Sequence, residues 1–537
     1  MLKNWRFAAL TALLIIVSAG WALPAFAQES EPIIYPGNID DDQEEMDFTV
    51  TLTEGDGVLV TAVAQNGNLD TVVTVFNPDD EQIANNDDGF PDSTDSRLAF
   101  TADDSGIYRI NVTRYDETSE GSFVLEITIG DVTLLDYPVE LSGEMQTLNT
   151  EHFRIHYTET GEDAVDPDFL NAIAKAFDDA YRVEVEQMGW PPPPNDDTMG
   201  GNDLYDVYVQ NLINTEDDFL GYASAQNFVT DNPNTEEAEL YAATSYIVID
   251  NDFEDLEFGE DQTDISLMRA TAFHEFHHAI QFGFDGAELH HWFAEATSTW
   301  METAAAGRDQ DATGYVKTAF DYPELCFGTT AEDNSIMYGE WTFMQFLTDE
   351  FGDEAVVNLW HEIALYEGFD ALERFLNDNG TDVEHEVARY RLKNLARDYK
   401  LAPQFDATVW LENMITDVGE WTYGESGSGV QELGANYFEF DAPPGIYDVE
   451  LRDENKKLLL WAIGLGPDGL DAFALGRGGG IDTQNYDRVY LMVFNPVYDN
   501  DVDDCSYSDY SIEVALGKGT VNPLDSTWNA EYFEPLK

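Results

Sequence analysis

Residues 274–282 read His274-Glu275-Phe276-His277-His278-Ala279-Ile280-Gln281-Phe282, and residues 292–302 read Trp292-Phe293-Ala294-Glu295-Ala296-Thr297-Ser298-Thr299-Trp300-Met301-Glu302. The first run contains His-Glu-x-x-His. Side chains four residues apart share one face of a helix, so His274 and His278 can reach a single ion. Imidazole nitrogen suits zinc. Glu275, next to the first histidine, is placed to hold a water on that ion and accept its proton. Leu267, Met268 and Phe273 supply an apolar helical setting, and Gly283 and Gly286 close it. A catalytic zinc takes a third protein ligand and keeps a fourth position open. Glu295, on a second predicted helix, is one source of that ligand; His290 and His291, in the loop before that helix, are another. Glu302, Ser298 and Thr299 are placed to orient a ligand from behind. His277 reads as a partly exposed helix residue. His152 and His156 read as strand residues, and His361 and His385 as ordinary helix positions.

Gln281 and Phe284 stand where the metzincin pattern requires Gly and His, which excludes that class. The two runs instead resemble the gluzincin metallopeptidases, in which a glutamate on the following helix is the third ligand. They are also similar to secreted bacterial metallopeptidases that carry a comparable pair of blocks. The resemblance implies a thermolysin-like α+β catalytic domain with His274, His278 and Glu295 on Zn2+ and Glu275 as general base. Ala296 departs from the glycine common after the ligand, and the Gly-x-Met-Glu-Asn signature of aminopeptidases is absent. Met337-Tyr338-Gly339-Glu340-Trp341 resembles the aminopeptidase Tyr-Glu-Lys-Gly segment, with Trp341 in place of glycine. That likeness implies Tyr338 as an oxyanion donor; a core tyrosine opening the helix of Phe343, Phe346, Leu347 and Phe351 is the other reading.

Working outward, residues 149–403 form the expected catalytic domain. Alternating His152-Phe153-Arg154-Ile155-His156-Tyr157 predicts a strand. Asp166-Pro167 opens a helix with Phe169, Ile173, Phe177 and Ala180 on one face. Strands follow at 204–209 and 246–250, then helices over 263–402. The strand at 245–250 is either an edge that pairs with an extended peptide or an internal strand.

Residues 28–131 show alternation (Phe48, Val50, Leu52; Val58, Val60; Val73, Val75) with turn signals roughly every ten residues, the signature of a β-sandwich. The succession Asp47 to Thr49, Leu69-Asp70, Asn77-Pro78-Asp79, Asn85-Asn86-Asp87-Asp88, Gly106-Ile107-Tyr108 and Gly121-Ser122-Phe123 resembles the bacterial pre-peptidase C-terminal domain. Such domains accompany secreted peptidases, and the likeness admits structural Ca2+ in the acidic loops; a solvated acidic loop is the alternative. Residues 132–148 read as a linker and 404–537 as a second all-β sandwich. The expected architecture is multidomain, an α+β unit flanked by two all-β sandwiches.

Lys3, Arg6, the apolar run from Phe7 and Pro24-Ala25-Phe26-Ala27 read as a signal peptide over 1–27, with an uncleaved anchor as the alternative. Export to a secreted or periplasmic location follows, where disulfides persist. The two cysteines, Cys326 and Cys505, leave room for one bridge or two buried thiols. With 24 Lys plus Arg against 107 Asp plus Glu, the net charge of −83 excludes nucleic acid as a partner and disfavours anionic membranes. Salt or divalent cations must screen such repulsion. Hydrophobic residues at 43% exclude a disordered acidic chain. Three functions are compatible with this reading: an exported zinc endopeptidase acting on protein or peptide substrates, a zinc hydrolase of another bond, or a calcium-stabilised binding or adhesion protein with a vestigial metal site.

Overall fold

The computed structural model describes residues 32–517 apart from 41–42, 54, 66–68, 88–93, 103, 116–118, 131–138, 140, 196–198, 214–219, 230, 236, 255–262, 307–311, 329–334, 398–406, 425–428, 467–468 and 499–504. The signal peptide expected over 1–27 lies outside these residues.

The first unit is a sandwich of β1 (Ile33–Ile39), β2 (Met46–Leu52), β3 (Gly57–Ala64), β4 (Thr71–Phe76), β5 (Gln82–Asn86), β6 (Ser96–Thr101), β7 (Gly106–Arg114) and β8 (Gly121–Gly130). Its sheets have the orders β1-β8-β3-β6 and β2-β7-β4-β5. The alternating residues Phe48, Val50, Leu52, Val58, Val60, Val73 and Val75 meet between them, because period-two burial turns one face of each strand inward. Two carboxylates of the acidic surface, Asp47 and Asp80, pair with Arg109 at 3.1 and 2.7 Å.

The central unit carries β9 (Gln146–Asn149), β10 (Phe153–Tyr157), α1 (Pro167–Tyr181), β11 (Tyr205–Gln210), β12 (Gly221–Phe228) and β13 (Ala243–Asp250). These strands form one sheet in the order β12-β13-β11-β10-β9. β10, β11 and β13 run parallel, and the outer strands are antiparallel to them. Two expectations change. The linker 132–148 ends inside this sheet, since β9 pairs with β10 and Val139 is buried beneath Tyr208 and Val248. The strand at 245–250 is internal, flanked by β11 and β12, so its backbone is committed on both sides. β12 is the edge.

Asp166 caps α1 through its side chain, with Pro167 at the first position. The helix runs on into a π-turn at Arg182–Gln187. Helices α2 (Asp264–Phe282), α3 (His291–Met301), α4 (Ala312–Asp321), α5 (Ser335–Gly339), α6 (Trp341–Phe351), α7 (Ala355–Ile363), α8 (Gly368–Asp378) and α9 (Val383–Ala396) make the helical half. α2 starts with a reciprocal capping box between Thr263 and Ser266. It is buried on nearly every side, packing Phe273, Phe276 and Ile280 against the sheet and α1.

The last unit is a second sandwich of β14 (Asn413–Ile415), β15 (Gly419–Tyr423), β16 (Ala435–Phe440), β17 (Ile446–Arg452), β18 (Leu459–Gly466), β19 (Gly469–Gly476), β20 (Gly478–Asp482), β21 (Arg488–Phe494) and β22 (Tyr510–Leu516). Its sheets run β14-β16-β21-β18-β19 and β15-β22-β17-β20. The first sheet is buried on both faces. Phe438, Leu460, Leu491 and Val493 point into the sandwich, while Tyr437, Trp461, Met492 and Phe494 join the core of the helical unit. Tyr437 also donates its hydroxyl to Arg391 O at 2.7 Å, and Arg391 Nε donates to Leu433 O at 3.0 Å. The two units therefore share one core.

Cys326 and Cys505 form a disulfide across this junction, with Cα atoms 6.2 Å apart and a sequence separation of 179. Gln431 lies beside it, accepting from Cys326 N–H and donating to Cys505 O. Thiol counting under denaturing, non-reducing conditions is expected to find no free thiol. Reduction is expected to lower stability by about 2–4 kcal/mol, the usual scale for a long closed loop. Two reactive thiols in the unreduced protein would refute the bridge.

Candidate metal centre

The i, i+4 spacing on α2 and the following turn to α3 bring His274, His278 and Glu295 together, with one ligand atom from each all within 4.8 Å of one another. Glu295 Oε2 lies 3.2 Å from His274 Nε2 and 3.5 Å from His278 Nε2. Donors at 2.0–2.1 Å from a tetrahedral zinc are separated by about 3.3 Å, so the donor set fits that ion. Both Nε2 atoms face the cluster because both Nδ1 atoms are tied elsewhere. Glu302 Oε1 sits 2.9 Å from His274 Nδ1. Gln281 Oε1 sits 2.8 Å from His278 Nδ1, with Ser298 Oγ at 3.2 Å. Gln281 donates its Nε2–H to Ala294 O, which leaves Oε1 as the acceptor for the imidazole. Each ring thus carries its proton on Nδ1 and, when neutral, offers the Nε2 lone pair to a metal.

The carboxylates and imidazoles of the cluster shift one another's protonation. Burial disfavours a charged His274, but hydrogen bonds to Glu295 and Glu302 outweigh it and hold the imidazole well above its ordinary range. Burial likewise works against a charged Glu295, yet the His278 charge and bonds to both histidines hold it well below the carboxylate range. Glu275 is buried, and burial raises its pKa against the opposing pull of the two histidines. β12 passes directly above it: a Cβ on Gly221 would lie 3.2 Å from Glu275 Cγ, so glycine permits the close approach.

The remaining residues sort clearly. Tyr338 lies on the separate short helix α5 rather than on the amphipathic helix, which begins at Trp341. Its hydroxyl is close enough to the Glu295 carboxylate to feel it, and its ring stands 6.0 Å from that of His274. Burial and the neighbouring carboxylates raise its pKa, so it remains a proton donor. His290 sits at the start of α3 against Phe369, and His291 is the exposed first residue of that helix; neither joins the cluster. Thr299 is buried with no hydrogen-bond partner for its hydroxyl among the described residues.

His277 corrects the sequence reading: it is fully buried rather than partly exposed. Its Nδ1 meets Glu184 Oε2 at 3.0 Å, under the edge of Trp190. Burial pushes Glu184 up and His277 down, which makes the pair an uncharged hydrogen bond. The π-turn after α1 delivers Glu184 to this position and so ties α1 to the ligand helix. His156 pairs in the same buried way with Asp206 at 2.7 Å; His152 precedes β10 and stacks on Tyr181. His361 faces Glu237, and His385 is held by the helix cap Asp382.

No family model matches the chain. No curated protein matches it either. Among solved structures, 18% of this chain is similar to 87% of the pre-peptidase C-terminal domain of a collagenase from Bacillus anthracis, at 15% identity and a TM-score of 0.16. A further 19% alignment covers 87% of PliG from Aeromonas hydrophila, a periplasmic inhibitor of g-type lysozyme, at 18% identity and a TM-score of 0.15. Likeness at this level assigns neither fold nor activity.

Glu295→Ala is expected to weaken zinc binding strongly, since two imidazoles alone make a poor site. Glu302→Gln is expected to weaken it about tenfold by loosening His274. Titration with a competing zinc indicator checks both. Loss of zinc in His291→Ala, with Glu295→Ala unaffected, would overturn this ligand set.

Proposed function

We propose that the protein is an exported zinc endopeptidase of the gluzincin kind. The observation that carries this reading is the convergence of His274 Nε2, His278 Nε2 and Glu295 Oε2, with each imidazole fixed from behind and Glu275 beside them. The order of parts supports a thermolysin-like arrangement: a sheet with an edge strand, the His-Glu-x-x-His helix, then a helical half. The leader-like residues 1–27 and the disulfide fit an oxidising destination. Among the described residues no helix is long and apolar enough to cross a membrane.

His274, His278 and Glu295 would hold the zinc, which would supply a Lewis acid for acidifying water and polarising a carbonyl. Glu275 accepts the proton of the attacking water and passes it to the departing nitrogen; its buried setting makes it more basic than a free carboxylate. Tyr338, beside the ligands on α5, donates its hydroxyl to the oxygen on which charge develops. β12 is bonded to β13 on one side, and an extended chain pairing with its other edge ahead of the sandwich contact at Gln226 favours a polypeptide over a compact substrate.

Glu275→Gln is expected to retain one zinc per chain while casein hydrolysis falls about 10²–10⁴-fold. Tyr338→Phe is expected to keep fold and zinc and lose about 10² in kcat. Metal analysis paired with the protease assay reads both. Wild-type activity in Glu275→Gln would remove the base, and unchanged kcat in Tyr338→Phe would return that tyrosine to a packing role.

A further inference from the structure

The N-terminal sandwich meets the central unit along the strand that borders the metal cluster. β5 and β6 lie against β12. Asn86, the last residue of β5 and only 4% exposed, donates through Nδ2 to the backbone carbonyl of Gln226 at 3.0 Å. Its Oδ1 accepts from Arg97 N–H at 3.0 Å, which fixes the direction in which the amide faces. Gln226 is skipped in the register of β12 with β13, which shifts between Ala225 and Asn227. Such a bulge turns a backbone group away from the ladder, and Asn86 takes it up.

β12 therefore starts beside Glu275 at Gly221 and is clasped by the sandwich at Gln226. Five residues at about 3.3 Å each separate these points by ~16 Å. At the clasped end lies a cleft of about 450 Å³, walled by Asn86, Asp87 and Tyr115 of the sandwich and by Phe228, Phe282 and His291 of the central unit. Phe282, in the wall of this cleft, is one helical turn beyond His278 on α2. Among the described residues no Lys or Arg lines it, and Tyr115 is 61% exposed. The contact leaves the cluster reachable, since the Glu295 side chain keeps 21% of its exposure. The sandwich is thus a wall of the cleft and not a plug.

Building on the endopeptidase reading, we propose that the N-terminal sandwich is a substrate-holding surface. An extended chain paired along β12 continues about five residues past the scissile bond and enters this cleft, where a Lys or Arg side chain lies over the Tyr115 ring. The aliphatic stem of such a residue covers the aromatic faces, and its charge suits a wall without cations on a protein of net charge −83. The substrate class is accordingly an extended polypeptide with a basic residue distant from the cleaved bond. Shorter peptides end before the cleft.

The test uses the full zinc-loaded protein with fluorescein-labelled peptides: a tetrapeptide, and decapeptides bearing Lys or Glu about five residues from the centre. For wild type, kcat/KM of the Lys decapeptide is expected to exceed that of the Glu decapeptide about tenfold, through KM. Tyr115→Ala is expected to erase this preference and to lower the ratio of decapeptide to tetrapeptide kcat/KM by a similar factor. Asn86→Asp keeps the acceptor for Arg97 but turns an oxygen onto the Gln226 carbonyl, and is expected to do the same by unclasping the sandwich. Equal effects on short and long peptides, or none on either, overturn the proposal. Fluorescence anisotropy of the same peptides on zinc-loaded Glu275→Gln protein reads the surface without turnover. Lys-selective binding that Tyr115→Ala abolishes, in a protein whose wild type hydrolyses nothing, would uphold the surface and refute the endopeptidase reading. Absence of that binding refutes the surface itself.

Discussion

The central unit is organised around one electrostatic constraint: carboxylates buried among imidazoles need positive charge between them. Glu275, Glu295 and Glu302 converge on His274 and His278 inside a helix pair whose buried apolar residues include Phe273, Phe276, Trp292, Phe293, Trp300 and Met301. Removing carboxylates from water is costly, and the attraction of partners repays it only when geometry is good. Hydrogen bonds to Glu295 and Glu302 hold His274 above its ordinary range, while the two histidines hold Glu295 below its own. A dication satisfies the same charges with two neutral rings. The hydrogen bonds to both Nδ1 atoms prepare the rings for that exchange before any ion arrives.

The surrounding architecture keeps this pair of helices in place. Glu184 on the π-turn and His277 on α2 lock α1 to the ligand helix by an uncharged bond within the core. From the far side, the last sandwich presses Tyr437, Trp461 and Phe494 into the helical core, and the Cys326 to Cys505 bridge closes the junction. A sheet buried on both faces has no freedom to tilt without opening one core or the other. The helix pair is therefore clamped between two packed layers, and a site built on it inherits their rigidity.

How much of this could be read from the chain depends on how local each signal is. His274, Glu275 and His278 declare themselves through a four-residue spacing, and Glu295 through its place on the next helix. Glu302 is legible in the same way, seven residues beyond Glu295. Both sandwiches show in alternating residues such as Phe48, Val50 and Leu52. The Glu184–His277 pair is not legible, because its partners are 93 residues apart and meet through a π-turn that no propensity marks. Gln281, which fixes His278, lies in plain view on α2, three residues on, but a glutamine carries no charge to attract notice. The edge strand was the harder case. Gly221-Tyr222-Ala223-Ser224-Ala225-Gln226-Asn227-Phe228 has neither a strong apolar alternation nor full burial. Its neighbour Tyr246-Ile247-Val248-Ile249 carried the opposite signal, a continuous apolar run of the kind that marks a strand covered on both faces.

The central claim is that these three side chains form one zinc site. Crystals of the full chain grown with zinc, measured on either side of the zinc absorption edge, test it most directly. The account predicts a single strong anomalous peak about 2.0–2.1 Å from His274 Nε2, His278 Nε2 and a Glu295 oxygen. A peak on His290 or His291, or density at the cluster that does not change across the edge, would contradict it.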